Sequence, residues 1–239
     1  MKIAAIITAR HKSKRLPKKH MLKLGNLNMI EILIKRLQQS NKKFSIILCT
    51  SKDKSDDDFE SLSKKLKINC FRGYSYNVKG RVLKAARRFN VDHIIKIWGD
   101  SPLIDVEIIN QALNEYLDKK PDVMSTCPRS GKPLEDQKKQ FLPQGMDFDI
   151  YSTKILEKSL SYSKKWSDFE HVDIVFFREK IFKILRFTSD KNMYFPEARL
   201  LLDEESDYKF FKKLYEVKEF RENIFKINCK EIIQILKKI

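Results

Sequence analysis

Short apolar runs alternate with amphipathic stretches along the first half of the chain. Apolar runs at residues 3–7, 44–49 and 92–98 are long enough for buried strands and too short for helices. Between them, as in residues 29–39, apolar side chains recur with a helical period. Strands that alternate with helices predict βαβ units, a mostly parallel central sheet and helices on both faces. The expected fold class is therefore α/β.

The same reading covers the rest of the chain. Further strands are predicted at 69–71, 148–151, 182–188 and 199–202, and further helices at 56–66, 82–89, 106–117, 154–160, 169–179, 207–217 and 230–238. Asp105 is expected to be the N-cap of the helix that begins at Val106.

The alternation weakens after Pro121. Residues 125–143 hold three of the seven prolines and many charges, which indicates an excursion from the sheet. With 239 residues, we expect a single domain over 1–239 with a small insertion at about 124–150.

Composition excludes several classes of protein. Apolar residues make up 42% of the chain, but no stretch approaches the ~20 that a membrane helix needs. The apolar run at residues 3–7 is too short for a signal peptide, so we expect a cytoplasmic protein with no membrane insertion. The four cysteines and four histidines are scattered, which argues against a zinc site or a disulfide framework.

The net charge of +17 admits a polyanionic partner. The lysines are spread along the whole chain, however, and no cluster of aromatic and cationic residues marks a nucleic-acid surface. This dispersed excess of positive charge is typical of a solvated surface, and it would also assist the binding of a small phosphate-bearing ligand. Nucleic-acid binding is therefore the less favoured alternative.

Cations are concentrated in the loop after the first predicted strand: Arg10, Lys12, Lys14, Arg15, Lys18 and Lys19, with Pro17 fixing the backbone among them. Open α/β sheets bind anions beyond the carboxyl ends of their strands. The simpler alternative is that these are solvated lysines in a lysine-rich chain.

Two carboxylates end other predicted strands. Asp100 follows the strand at 92–98, and Asp203 follows the strand at 199–202. If the strands are parallel neighbours, both carboxylates reach the edge that carries the cationic loop. Carboxylates opposite a phosphate-binding loop describe a Mg²⁺–nucleotide site. The chain has no GxxxxGK[ST] and no GxGxxG, which argues against a P-loop NTPase and a nicotinamide-binding domain.

These residues resemble the sugar-acid cytidylyltransferases, which include 3-deoxy-manno-octulosonate and acylneuraminate cytidylyltransferases and, most similar in its motifs, the spore-coat polysaccharide biosynthesis protein F group. The loop Ala9-Arg10-x-x-Ser13-x-Arg15-Leu16-Pro17-x-Lys19 carries the likeness. It continues in family order through Phe71-Arg72-Gly73 with Val78 and Arg81, Gly99-Asp100-Ser101-Pro102-Leu103-Ile104-Asp105, Gly145-Met146-Asp147, Glu170-His171-Val172 and Leu201-Leu202-Asp203-Glu204.

The resemblance implies a Rossmann-like nucleotide-diphospho-sugar transferase fold and transfer of CMP from CTP to a sugar acid, with release of pyrophosphate. It implies that Arg10, Lys19, Asp100 and Asp203 are catalytic, and that Mg²⁺ is held by Asp100 and Asp203. The implied nucleotide-binding residues are Ala9, Arg10, Ser13, Arg15, Lys19, Arg72, Arg81, Gly99 and Asp100.

The resemblance also implies an acceptor side and an assembly. Candidate sugar contacts are Gln144, Asp147, Asp149, Glu170 and His171. His171 is either a general base or a group that orients the sugar loop. The insertion at about 124–150 is the candidate dimerisation arm of a homodimer.

Three departures from the family leave alternatives open. Lys12 and Lys18 stand where glycine is frequent, Asp149 stands where glutamate is usual, and Trp98 either stacks on a ligand or packs in the core. Two interpretations remain. The protein is an enzyme that uses another nucleotide or acceptor, or it is a homologue that binds nucleotide without catalysis.

Overall fold

A seven-stranded sheet forms the centre of the protein in the computed structural model, which describes residues 1–13, 15–126, 142–188, 190, 193, 195 and 197–239. Its spatial order is β5-β4-β1-β6-β8-β7-β9. The strands are β1 (Ile3–Thr8), β4 (Ser45–Ser51), β5 (Asn69–Gly73), β6 (His93–Trp98), β7 (Val123–Ser125), β8 (Phe148–Ser152) and β9 (Ile184–Arg186), beside a small hairpin of β2 (Lys23–Leu24) and β3 (Leu27–Asn28).

Strand directions place the loops after β1, β4, β5 and β6 at one edge. β1 is parallel to both of its neighbours, β4 and β6, and β4 is parallel to β5. The strand β8 is antiparallel to both β6 and β7, whereas β7 and β9 are parallel. The prediction of an α/β fold with a mostly parallel sheet is confirmed.

Helices cover both faces of the sheet, as predicted. Alternate residues of β1 point into two separate cores: Ala5 and Ile7 into one, Ala4 and Ile6 into the other. The helices are α1 (Met29–Leu37), α2 (Asp57–Lys65), α3 (Val78–Arg88), α4 (Val106–Lys119), α5 (Thr153–Leu160), α6 (Trp166–Glu170), α7 (Ile174–Arg178), α8 (Glu205–Glu216), α9 (Lys218–Asn223) and α10 (Cys229–Leu236).

The predicted cap of α4 is present. The Asp105 carboxylate accepts the backbone N–H groups of Glu107 and Ile108, and its second oxygen accepts the N–H of Cys229 at the start of α10. One side chain therefore orders two helix N-termini.

The prediction of one helix over 169–179 is wrong. α6 ends at Glu170 and α7 begins at Ile174, because the backbone at His171 is extended. The break turns Val172 into the second core, where it is buried. Tertiary burial thus overrides a local helical pattern.

The prediction of a strand at 199–202 is also wrong. Arg199 makes only an isolated bridge to Gln144 among the described residues. The segment instead crosses the end of β6, where the Leu202 N–H donates to the Asp100 carbonyl at 2.8 Å. Leu200 and Leu202 are buried there, so an extended apolar segment was mistaken for a strand.

Both flanks of the predicted insertion lie in the sheet. β7 and β8 pair with each other, Ser125 opposite Asp149. Residues 127–141, the middle of the candidate dimerisation arm, lie outside the described residues, so the arm and the homodimer stay predictions. Among the described residues, no helix is long and apolar enough to cross a membrane.

Candidate active site

The cationic loop after β1 is held by buried residues at its base. The Ala9 N–H donates to the Cys49 carbonyl of β4, and Leu16 and His20 are buried. Lys18 has a left-handed backbone, φ 54°, just before the turn at Lys19–Met21. This position is one where the resembled family often has glycine, which adopts that conformation at least cost.

Lys19 joins the two carboxylates that were predicted to share the edge. Its Nζ lies 2.9 Å from Asp100 Oδ2 and 3.0 Å from Asp203 Oδ1. Arg15 forms a second ion pair with the other oxygen of Asp203. The Lys19 side chain is only 9% exposed, so its two ion pairs are largely shielded from solvent.

A close backbone approach brings Asp100 to this point. A Cβ at Gly99 would lie 2.9 Å from both the Ala9 Cβ and the Thr8 carbonyl oxygen. Gly99 therefore permits the turn out of β6 to pass directly beside the end of β1.

Asp203 is positioned by Asp207, at the start of α8. Asp207 Oδ2 accepts the backbone N–H groups of Asp203 and Glu204, each at 2.8 Å. Arg199 Nε donates to Asp207 Oδ1 at 2.6 Å. Asp207 was not predicted as a site residue, although an acid at the third position of a helix is part of the capping-box signal.

Arg10 connects the cationic loop to α6. It donates to Glu170 Oε1 at 2.6 Å and to the Ser75 carbonyl at 2.9 Å. Its guanidinium also lies 5.8 Å from the ring centroid of Tyr76, which is exposed. The structure thus brings Arg10 and Glu170 together.

The other predicted nucleotide-binding residues lie on three elements: Ser13 in the cationic loop, Arg72 in β5 and Arg81 in α3. The Ser13 hydroxyl accepts the Leu16 N–H at 3.4 Å, within the loop. Arg81 is buried and donates to the Tyr74 carbonyl, so it braces the segment that also binds Arg10. Arg72 donates to the Ser51 and Asp53 carbonyls and pairs with Asp57 and Glu60, away from Lys19.

The predicted acceptor residues are divided between surface and interior. Gln144 and His171 are exposed and Asp147 is half-buried, whereas Asp149 is fully buried. Asp149 accepts a hydrogen bond from the Ser125 hydroxyl at 2.5 Å, and its Oδ2 has no hydrogen-bond partner among the described residues. Burial, with the nearby Asp173, raises the pKa of Asp149 to about 8.

Lys96 was missed by the sequence analysis. It lies opposite Asp149 in the β6–β8 pairing and is 1% exposed. Its Nζ donates to the Ile97 carbonyl at 3.2 Å and lies 4.2 Å from the Trp98 ring centroid. Burial lowers the pKa of Lys96 to about 8. A lysine inside an otherwise apolar strand was the available signal.

Two side chains next to the site residues, Trp98 and His20, are partly or fully buried. Trp98 is half-buried and packs on the Lys96 ammonium. His20 is fully buried beside Lys19, and burial lowers its pKa to about 3. The His20 imidazole is therefore neutral and structural at ordinary pH.

The donor set at the edge fits a magnesium ion carried by phosphates. No group of three or more His, Cys, Asp or Glu side chains in the described residues would hold a metal by itself. Asp100 and Asp203 nevertheless converge on one point, and Asp100 Oδ1 is buried without a hydrogen-bond partner among the described residues. One or two carboxylates, with phosphate oxygens and water, are the usual ligands of Mg²⁺.

Comparison with known proteins decides the family. A family model described as cytidylyltransferase matches residues 4–232. The chain belongs to the cytidylyltransferase family. The resemblance drawn from the motifs is thereby confirmed, as is the prediction of a nucleotidyltransferase enzyme.

Three relatives of this cytidylyltransferase cover most of its length. An uncharacterized protein of Methanocaldococcus jannaschii is 31% identical, over all of this chain and 91% of its own. The spore coat polysaccharide biosynthesis protein SpsF of Bacillus subtilis is 25% identical, over 98% and 93%. The 3-deoxy-manno-octulosonate cytidylyltransferase of Francisella tularensis subsp. novicida is 29% identical, over 74% and 71%.

The solved structure of a cytidylyltransferase from Leptospira borgpetersenii serovar Hardjo-bovis has the same architecture. It superposes with a TM-score of 0.88 at 25% identity, over all of this chain and 94% of that one. The predicted nucleotidyltransferase fold is confirmed.

Proposed function

We propose that this cytidylyltransferase transfers CMP from CTP to a sugar acid in a Mg²⁺-dependent reaction, and that the CMP-sugar serves surface polysaccharide or glycoconjugate synthesis. One observation carries the proposal: Lys19 brings Asp100 and Asp203 to one point, where Arg15 also pairs with Asp203. The names of the SpsF and 3-deoxy-manno-octulosonate relatives support the sugar-acid acceptor.

In this proposal the loop after β1 binds the nucleotide. Backbone groups of residues 9–13 contact the cytosine, and Gly99 lets the turn after β6 pack directly beside the start of this loop. The cations Arg10, Arg15 and Lys19 bind the triphosphate and neutralise the charge that develops on the leaving pyrophosphate. Arg81 braces the segment after β5 to which Arg10 donates, and Arg72 donates to the carbonyl of Ser51 at the end of β4.

Asp100 and Asp203 would hold the Mg²⁺, which when bound supplies charge neutralisation at the α-phosphate. Asp207 fixes the backbone of Asp203, and the Asp100 carbonyl is fixed by the Leu202 N–H. The acceptor hydroxyl attacks the α-phosphorus, and the bond to the bridging oxygen of pyrophosphate breaks. The task of the chain is to position these groups before reaction.

The acceptor side is proposed to lie between Glu170, His171, Asp147 and Gln144, at the other side of Arg10. Asp149 is buried in β8 and would shape this side from within. His171 is exposed, which is compatible with a hydrogen bond to the acceptor.

The test is pyrophosphate release with CTP, UTP, ATP or GTP, Mg²⁺ and a panel of sugar acids. Turnover is expected with CTP and one sugar acid, and Asp100→Asn should lose it. Glu115→Gln, which removes a carboxylate from a surface ion pair on α4, is the matched control and should retain it.

Other outcomes would revise the proposal. Turnover with a different nucleotide or a neutral acceptor would change the substrate class within the same fold. CTP binding without turnover across the panel would point to a non-catalytic nucleotide-binding role. A sedimentation measurement would test the proposed homodimer separately.

A further inference from the structure

Each cation of the proposed triphosphate site is already paired with a carboxylate. Lys19 contacts Asp100 and Asp203, Arg15 contacts Asp203, and Arg10 contacts Glu170. The groups assigned to the nucleotide and those assigned to the metal therefore neutralise each other in the protein alone. Nucleotide binding has to exchange these partners.

We propose that Lys19 is an internal counter-ion for Asp100 and Asp203, and that the triphosphate draws its ammonium away, so that the divalent cation binds with the nucleotide and not before it. This inference rests on the proposed function, because it uses the same carboxylates and the same cation.

The geometry places lysine and metal in competition for the same two carboxylates. The Lys19 ammonium uses Asp100 Oδ2 and Asp203 Oδ1, at 2.9 Å and 3.0 Å. A magnesium ion bound by these two carboxylates would lie about 2.0–2.1 Å from its oxygen ligands. Two cations at one point repel strongly where solvent is scarce, and the side chains of Lys19 and Asp203 are 9% and 10% exposed.

Lys19 is better suited than Arg15 to act as the counter-ion. It contacts both carboxylates, whereas Arg15 contacts only Asp203 and is 64% exposed. An ammonium on a flexible four-carbon stem can change partners without a fixed planar geometry. Triphosphate oxygens offer it replacement acceptors at the same edge of the sheet.

The proposal predicts a measurable coupling between nucleotide binding and metal binding. If the nucleotide removes Lys19 from the carboxylates, it raises the affinity for metal, and the metal raises the affinity for nucleotide by the same factor. Typical coupling between two sites is about 5–150-fold. In a protein without the Lys19 ammonium, the coupling should shrink because the competing cation is gone.

The experiment measures Mn²⁺ binding to the nucleotide-free protein by electron paramagnetic resonance. Lys19→Met is expected to bind Mn²⁺ at least about tenfold more tightly than the wild type. Lys19→Arg, which keeps a cation, should stay near the wild type. Lys12→Met is the matched control: it removes a charge from the same loop, where Lys12 pairs with Asp53 at 3.1 Å.

A gain in Mn²⁺ affinity that is confined to Lys19→Met supports the inference. The double variant Lys19→Met/Asp100→Asn should lose this gain in affinity. Equal Mn²⁺ affinity in the wild type, Lys19→Met and Lys12→Met, all folded by circular dichroism, would overturn it. A similar gain in Lys12→Met would also overturn it, because the effect would then be general electrostatics.

The result is separable from the proposed function. If no nucleotide is turned over but Lys19→Met still gains Mn²⁺ affinity, the proposed reaction fails and the counter-ion role stands. If CTP is turned over but the Mn²⁺ affinities are equal, the reaction stands and the binding order fails.

Discussion

Two clusters in this protein are built from the same residue types, one lysine and two aspartates. In the first, Lys19 makes ion pairs with Asp100 and Asp203 within 3.0 Å. In the second, Lys96 lies near Asp149 and Asp173, but no ion pair joins them among the described residues, and Lys96 instead contacts the Ile97 carbonyl and the Trp98 ring. The same residue types are therefore arranged in two different ways.

The difference shows what pairing and burial do to a charge. In the first cluster each charge has a partner that a ligand can replace. In the second cluster burial dominates, lowering the pKa of Lys96 and raising that of Asp149 towards the neutral forms. The first cluster therefore suits the exchange of ion-pair partners that is proposed above, and the second suits a fixed interior.

The largest expected difference in kcat comes from replacing one aspartate by asparagine in each cluster. Asp203→Asn should reduce kcat with CTP by about 10²–10³-fold, because it removes a charge at the reacting phosphates. Asp149→Asn should cost less than about tenfold, because the amide resembles the protonated carboxyl favoured by a pKa of about 8. Steady-state pyrophosphate release measures both, and equal losses would contradict the distinction.

A smaller effect is expected from the side chain that positions the first cluster. Asp207→Asn should lower kcat about tenfold, since Asp207 holds the Asp203 N–H and Arg199 in place. Glu231→Gln is the control, because Glu231 caps α10 in a similar way but far along the chain from the site. Both should cost about 1 kcal/mol of folding free energy, and only Asp207→Asn should affect kcat.

The pH dependence of stability tests the second cluster. Between the ordinary Asp pKa of 3.8 and about 8, folded Asp149 holds a proton that the unfolded chain releases, so stability should fall as pH rises. The slope is at most about 1.4 kcal/mol per pH unit. Asp149→Asn should flatten this decline in urea unfolding at pH 5, 7 and 9, whereas an unchanged slope would assign the effect to other groups.

The smallest effect concerns Lys96 itself. Lys96→Met should stabilise the fold at pH 7 by about 1 kcal/mol, because the cost of burying an ammonium exceeds its contact with the Trp98 ring. Lys119→Met, at an exposed pair on α4, should change little. Urea unfolding followed by Trp98 emission, in a Trp166→Phe background, measures the change, and a clear destabilisation would mean that Lys96 neutralises the buried acids.

Sequence patterns located most elements because apolar periodicity reflects burial directly. The strands β1, β4 and β6 and the helix α4 with its Asp105 cap are close to their predicted positions. The segment around Arg199 and the break at His171 were mispredicted because they depend on neighbours distant in sequence. An extended apolar segment resembles a strand whether or not a partner strand lies beside it.

By itself the sequence determined the α/β class, the cationic loop at the first strand and the family, and it predicted that Asp100 and Asp203 would meet at one edge of the sheet. These conclusions depend on residue types that lie close together in sequence and on the order of the motifs, and both can be recognised without a structure. Only the tertiary structure decided that Lys19 bridges both carboxylates, that Asp207 holds Asp203, and that Lys96 and Asp149 face each other inside. Such pairs join residues from separate strands and loops, so only the packed sheet sets their distances and their burial, and hence their charges.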